Sequence, residues 1–324
     1  MKAFVYTKYG SPDVLQFKDV EKPVPADDEV LVKIHSASLN AYDWHMLTAD
    51  IFLVRFAAGL LKPKNTMLGA DMAGVVEAVG KDIKEFKRGD EVFGEGRHSC
   101  GGFAEYVCAR ESSLVMKPAN LSFDEAAAVP MAGLTALQGL RDHGKIQPGQ
   151  KVLINGAAGG VGTFAVQIAK SFGAEVTAVC STRNLDQARA LGADHVIDYT
   201  REDFTKNGQQ YDLILAANGY HSIFAYKRAL GPRGIFLAAG GTLGQLAQVL
   251  LLGPRLSRRE GRKMGSFMAS VNKKDLAFIN ELLETGKVKA VIDRRYPLSE
   301  TAEALRYLGA GHARGKVVIS VAAS

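Results

Sequence analysis

The stretch KVLINGAAGGVGTFAVQIAK, residues 151–170, decides how the chain is read. An apolar run ends at Asn155, glycines crowd at Gly156, Gly159, Gly160 and Gly162, and a helix-forming run follows to Lys170. A pyrophosphate needs bare backbone N–H groups at a helix N-terminus, and side chains at these positions would block its approach. A glycine triplet alone is weak. Between a strand and a helix, inside a βαβ unit, it is a dinucleotide fingerprint, whose plainer alternative is a tight strand-to-helix turn with no ligand. On the ligand reading, Gly156, Ala158, Gly159, Gly160, Val161 and Gly162 line the cofactor.

Working toward the C-terminus, EVTAVCS, HVIDY, YDLILAA and GIFLAAGG read as strands, with NLDQARALG and IFAYKRALG between them as helices. That alternation predicts a doubly wound parallel sheet. The second strand ends in VCSTRN, where an NAD site usually offers a carboxylate to the ribose. Here Ser181, Thr182, Arg183 and Asn184 precede the first acid, Asp186. Hydroxyls and a guanidinium suit a 2′-phosphate, which a carboxylate would repel, so the pattern favours NADPH. Tyr199 is placed to pack near the adenosine end, or is an ordinary strand-end aromatic. Asn218 and Gly240 close further loops at strand carboxyl ends, where such ligands bind.

Working toward the N-terminus, residues 1 to about 115 read as a mostly β domain broken by Pro-, Gly- and Asp-rich turns. Near Ser122 the pattern changes: Ser122 and Glu125 have capping-box spacing, and Pro130 must break or kink the helix that follows. Within the β region, SLNAYDWHML (38–47) concentrates Asn40, Tyr42, Asp43 and His45 around Trp44, the chain's one Trp.

Composition narrows the classes. The 324 residues, 47% apolar and 23% charged, suffice for two domains with sizeable cores. Three cysteines and no C-x-x-C pair exclude a four-thiolate zinc site and suit a reducing compartment, so a cytoplasmic protein without a signal peptide is expected. The net charge of +6 is thinly spread. The basic segment PRLSRREGRK (254–263) lacks interleaved aromatics, so nucleic-acid binding is not expected. That segment reads as a solvated loop over a substrate cleft or as a surface contact. The most apolar windows, 51–61 and 243–253, are too short to span a bilayer.

The motifs LGADMAGVVEAVG, FKRGDEVFG, AAAVPMAGLTAL, INGAAGGVGTFAVQIAK and LGADHVIDY, in that order, resemble the medium-chain dehydrogenase/reductase superfamily over essentially the whole chain. Within it the chain is most similar to the zinc-free quinone oxidoreductases, the ζ-crystallin-like branch. The resemblance implies an α/β fold. A GroES-like β-rich catalytic domain would span 1–121, completed by about 268–324. A Rossmann NADPH-binding domain with a doubly wound parallel sheet would span 122–267.

It also implies chemistry. Positions that carry zinc ligands in zinc-dependent relatives hold Asn40, Ala70 and Ala132, so no metal site is expected; catalytic zinc needs three protein ligands. Asn40, Asp43 and His45 become the catalytic candidates, Asn40 and His45 as donors to a developing oxyanion, although His45 stands where some relatives have Tyr. Its plainer reading is a packed turn. Thr135 would approach the nicotinamide, and Lys316 a cofactor phosphate unless it is a solvated strand-edge lysine. The expected activity is zinc-independent hydride transfer from NADPH to quinones or α,β-unsaturated carbonyls, by a homodimer. An enoyl-thioester reductase and a non-catalytic NADPH-binding protein are the alternatives.

Overall fold

The computed structural model describes residues 1–51 and 54–321, and the side chains at 57, 243 and 258–260 lie outside that description. The expectations for the apolar window 51–61 and the basic segment therefore fall in part outside the described residues. By its contacts the chain divides into two units. The first comprises Met1–Ala132, Val271–Thr285 and Lys289–Ser324; the second comprises Gly133–Ser270 and Gly286–Val288.

In chain order the first unit begins with β1 (Lys2–Val5), β2 (Gln16–Asp19), β3 (Glu29–Leu39), α1 (Ala41–Thr48), α2 (Val54–Ala58), β4 (Asp71–Val79), β5 (Glu91–Glu95), β6 (Tyr106–Arg110), β7 (Leu114–Met116) and α3 (Phe123–Ala127). The second unit follows with α4 (Pro130–Leu137, its first residues still in the first unit), β8 (Lys151–Asn155), α5 (Gly160–Ser171), β9 (Glu175–Cys180), α6 (Leu185–Ala190), β10 (His195–Asp198), β11 (Tyr211–Ala216), α7 (Ile223–Ala229), β12 (Leu230–Ala238), α8 (Leu243–Glu260) and β13 (Lys263–Ser266). The chain then returns to the first unit through α9 (Lys273–Glu284), β14 (Ile292–Pro297), α10 (Thr301–Gly309) and β15 (Lys316–Ser320).

The first unit is built on β3, whose β-branched run is buried on both faces because strands flank it and the core closes over it. The main sheet runs β14-β15-β3-β4-β5-β7, with β6 also paired to β3. Val32, Ile34, Met72, Phe103, Val317 and Ile319 share its core. At Asn40 the backbone is still extended, and the chain then turns into α1. SLNAYDWHML is thus a strand end and a short helix rather than a loop. Trp44 packs against Gly309 of α10 and is a structural contact.

The capping box at Ser122 forms: Glu125 Oε2 accepts from Ser122 N at 2.9 Å and Ser122 Oγ accepts from Glu125 N at 3.3 Å. Pro130 ends that helix and starts α4, where its missing N–H costs nothing. The division between units falls after Ala132, not at Ser122. Ser36 Oγ on β3 holds Asp124 at 2.5 Å, which ties α3 to the β-rich unit.

The second unit is a six-stranded sheet of order β10-β9-β8-β11-β12-β13, every pair parallel. That is the doubly wound arrangement, whose strand order reverses between β8 and β11. Residues 254–260 of the basic segment are not a loop. They continue α8 through Pro254, and Ser257 bridges Gly253 O (2.8 Å) and Met264 N (3.0 Å), which pins the last turns to β13. No helix of the described residues is long and apolar enough to cross a membrane.

Candidate cofactor cradle and buried amide–carboxylate site

The cradle lies at the carboxyl ends of the second unit's strands. Gly156 leaves β8 with φ +83°, a left-handed conformation open to glycine, and a Cβ there would stand 3.0 Å from Asn218 N at the start of the next loop. A Cβ at Gly162 would lie 2.1 Å from Gly156 O and 2.7 Å from Ala157 backbone carbons. The first turn of α5 therefore closes onto the loop only because residue 162 has no side chain. Gly159 is the N-cap and Gly160 and Val161 open the helix, while Ala158 is buried beneath. The residues fit a nucleotide pyrophosphate: bare backbone at a helix N-terminus, at the point where strand order reverses.

Ser181, Arg183, Tyr199, Asn218, Gly240 and Thr135 all belong to the same unit. Ser181 caps a short turn and accepts from Asn184 Nδ2 at 3.1 Å; Arg183 projects from that turn and is exposed. Tyr199 is 45% exposed and meets Tyr220 edge-on with centroids 5.9 Å apart. Asn218 is exposed after β11, Gly240 follows β12, and Thr135 is half-buried on α4. One acid escapes the sequence reading. Thr182 Oγ1 donates to Asp198 Oδ2 at 2.5 Å, and with Thr200 it holds the Asp198 carboxyl below its usual range. Asp198 is distant in the chain but neighbours Cys180 across the β9–β10 register.

Lys316 is held within its own unit. It is only 2% exposed, in the first unit, and its Nζ contacts Asn40 Oδ1 (2.5 Å) and Asp71 Oδ2 (3.2 Å). An ammonium committed to two buried oxygens is not offered to a phosphate, which corrects that expectation. The β15–β3 register, Val317 opposite Leu39, brings Lys316 to Asn40, and β3–β4 sets Ser38 opposite Asp71. Asn40 Nδ2 donates to Asp71 Oδ2 at 2.9 Å, Ser38 Oγ to the same oxygen at 3.0 Å, and Met131 N to Asp71 Oδ1 at 3.0 Å. Asp71 lies inside the motif LGADMAGVVEAVG, whose local pattern gives it no role.

Asp43 is fully buried. Its two oxygens accept from Asn40 N (2.8 Å) and Gly69 N (3.0 Å), so it holds the backbone under Asn40 rather than facing a substrate. This moves it from the catalytic candidates to the positioning ones. His45 is partly exposed, with Nδ1 2.8 Å from Asp50 Oδ1. Glu95, opposite Asp71 across β4–β5, completes the acidic cluster and accepts from Ser99 Oγ at 2.7 Å.

Burial, with Asp71 adding its charge, pushes both Asp43 and Glu95 up to about 7, against the hydrogen-bond donors and Lys316, which act the other way. Folded-state values above the unfolded ones mean that the native state binds more protons, so stability falls as pH rises through 7. Denaturant unfolding is expected to show a less stable protein at pH 8 than at pH 6, and Glu95→Gln to flatten the profile. A wild-type chain that gains stability over that window would contradict this arrangement.

Comparison with known proteins agrees with both units. The alcohol dehydrogenase GroES-like domain matches residues 26–119, and the zinc-binding dehydrogenase family matches 191–319. The 2-methylene-furan-3-one reductase of Solanum lycopersicum is 39% identical, over 98% of this chain and 79% of that protein. The NADPH-dependent alkenal/one oxidoreductase of Arabidopsis thaliana is 35% identical over the same shares. The structure of the quinone oxidoreductase from Coxiella burnetii superposes with a TM-score of 0.88 at 32% identity, over 99% of each chain. The chain belongs to the medium-chain dehydrogenase/reductase superfamily, in its quinone oxidoreductase branch.

As a member of that branch it has a GroES-like domain and a Rossmann-type parallel sheet. The zinc of the second matching family does not fit the residues present. Asn40, Ala70 and Ala132 supply one amide and two methyls, and the cation between Asn40 and Asp71 is the Lys316 ammonium. Among the described residues no three His, Cys, Asp or Glu side chains are grouped to hold a metal ion.

Proposed function

We propose that this quinone oxidoreductase-branch protein is an NADPH-dependent enzyme that reduces quinones and α,β-unsaturated carbonyls without a metal. The observations that carry the reading are the glycine cradle before α5 and the buried, tightly held side-chain amide of Asn40. Bound nicotinamide supplies the hydride. The chain's own part is to hold the pyrophosphate on the N-terminus of α5 and to meet the oxygen of the acceptor, which becomes an enolate or phenolate, with Asn40. One aimed donor of this kind is typically worth roughly 3 kcal/mol at the transition state. His45, or water, returns the proton. Ser181 and Arg183 at the end of β9 support NADPH over NADH, because the guanidinium can pair with a 2′-phosphate. The three cysteines are free thiols, which suits a reducing, cytoplasmic setting; a homodimer completes the proposal.

The test is NADPH consumption by EDTA-treated protein, offered a quinone, a simple enone and an enoyl thioester, with NADH in parallel. Quinone or enone turnover with NADPH preferred is expected. Arg183→Ala should raise the KM for NADPH roughly tenfold or more, the value of a charged hydrogen bond, and leave that for NADH unchanged. Faster turnover of the thioester would reassign the substrate, and tight NADPH binding with no turnover would make the chain a binding protein.

A further inference from the structure

We propose that Lys316 and Asp71 form a positioning pair that fixes the side-chain amide of Asn40 in one orientation and keeps one of its N–H bonds available to the acceptor. The inference deepens the functional reading above and rests on it for its catalytic meaning.

An asparagine amide has an oxygen end that accepts and a nitrogen end that donates, and in a neutral pocket the two orientations are nearly equal in energy. Around Asn40 they are not. An ammonium can only donate, and Lys316 Nζ lies on Oδ1 at 2.5 Å. A carboxylate oxygen accepts, and Asp71 Oδ2 receives Nδ2 at 2.9 Å. Turning the amide over would set N–H bonds against an ammonium and a carbonyl oxygen against a carboxylate. Both errors would be buried, since Asp71 and Lys316 are 0% and 2% exposed, and neither partner could be replaced by water at low cost.

The pair is itself held. Asp71 takes Ser38 Oγ and Met131 N in addition, and Lys316 is also bound to it at 3.2 Å. The backbone of Asn40 is set by Asp43 Oδ2 at 2.8 Å. Among the described residues Nδ2 has one acceptor, and an amide nitrogen carries two protons. The second is the one left for a ligand oxygen, on a residue that keeps 8% exposure. A donor oriented before the charge develops costs no reorganisation during reaction, which is what makes it effective.

Two readouts test this. The first is kinetic. Lys316→Met with Asp71→Asn removes both charges together and leaves neither partner as a lone buried ion. It should lower kcat for an enone about 100-fold or more with the KM for NADPH little changed. Adding Asn40→Leu should then cost nothing further, because the pair acts only through Asn40. Lys316→Arg, which keeps a donor-only cation, should retain activity within about tenfold. Independent, multiplying losses for the pair and for Asn40→Leu would overturn the proposal, as would full activity in the double variant. If the double variant does not fold, isosteric Asp71→Asn carries the same cycle.

The second readout does not need turnover. In protein labelled with 15N at asparagine side chains, the Asn40 pair, identified by its loss in Asn40→Leu, should show one proton strongly protected from exchange. Protection should vanish in the double variant. A wild-type chain with no turnover would sink the functional reading and the catalytic role of the pair with it. An unprotected Asn40 amide in wild type would sink the orientation itself, whatever the activity.

Discussion

Lys316→Met is expected to destabilise the β-rich unit by roughly 3–5 kcal/mol, the cost of removing one partner from a buried ion pair. The reason is what remains behind. Asp71 is fully buried at the centre of the cluster, Asp43 at 0% and Glu95 at 4% exposure lie close enough to feel its charge, and Lys316 is the cation among them. Without the ammonium, the Asp71 carboxylate stays buried with no cation beside it, within reach of the charges of Asp43 and Glu95, and Asn40 Oδ1 loses the Lys316 donor. Denaturant unfolding monitored by the single Trp, which packs on α10 of the same unit, reads the loss directly. Adding Asp71→Asn should recover part of the stability, because it removes the charge that Lys316 no longer meets. That recovery of stability without recovery of turnover is how structural and positioning roles part. A loss below about 1 kcal/mol for Lys316→Met would mean that the cluster is far wetter than drawn.

The second large effect is at the cradle. Gly162→Ala puts a methyl 2.1 Å from Gly156 O, closer than any real contact, so α5 or the loop must move. Overpacking of this kind typically costs about 1–3 kcal/mol, and the displaced N–H groups should lower NADPH affinity by 100-fold or more. Gly159→Ala is the informative companion. Its Cβ would find the nearest of these atoms, Gly156 O, at 3.7 Å, so the fold should be spared while the new methyl stands where a phosphate must approach. Thermal melts and NADPH fluorescence titrations of the two variants should therefore separate: both lose affinity, and only Gly162→Ala loses much stability. Unaltered NADPH binding by Gly159→Ala would remove the phosphate from this loop.

Features whose cause lies within a few residues could be read directly. The Ser122–Glu125 box and the break at Pro130 depend on contacts three or four positions apart, and the close approach of Gly162 to Gly156 O spans six. The strand–helix alternation of the second unit needs only local periodicity. Residues 254–260 misled for a local reason: Pro and four charges resemble a loop, but anchorage of Ser257 to Met264 N keeps them helical. Asp43 misled for another, since an acid three residues into a helix is both a plausible base and a backbone acceptor, and only its burial decides.

The chain's order of residues thus determined, by itself, the strand–helix alternation of the second unit, the glycine spacing before α5 and the residue types, one amide and two methyls, at 40, 70 and 132. Tertiary structure alone decided what Asn40 can do. Its partners come from 31 and 276 positions away, brought in by the antiparallel registers of β3 with β4 and β15. Register is set by which faces of whole strands are buried, a property of the assembled sheet, and no local pattern around Asn40, Asp71 or Lys316 carries it. The same holds for the raised carboxyls of Asp43 and Glu95, because the loss of water that raises them exists only once the unit has closed.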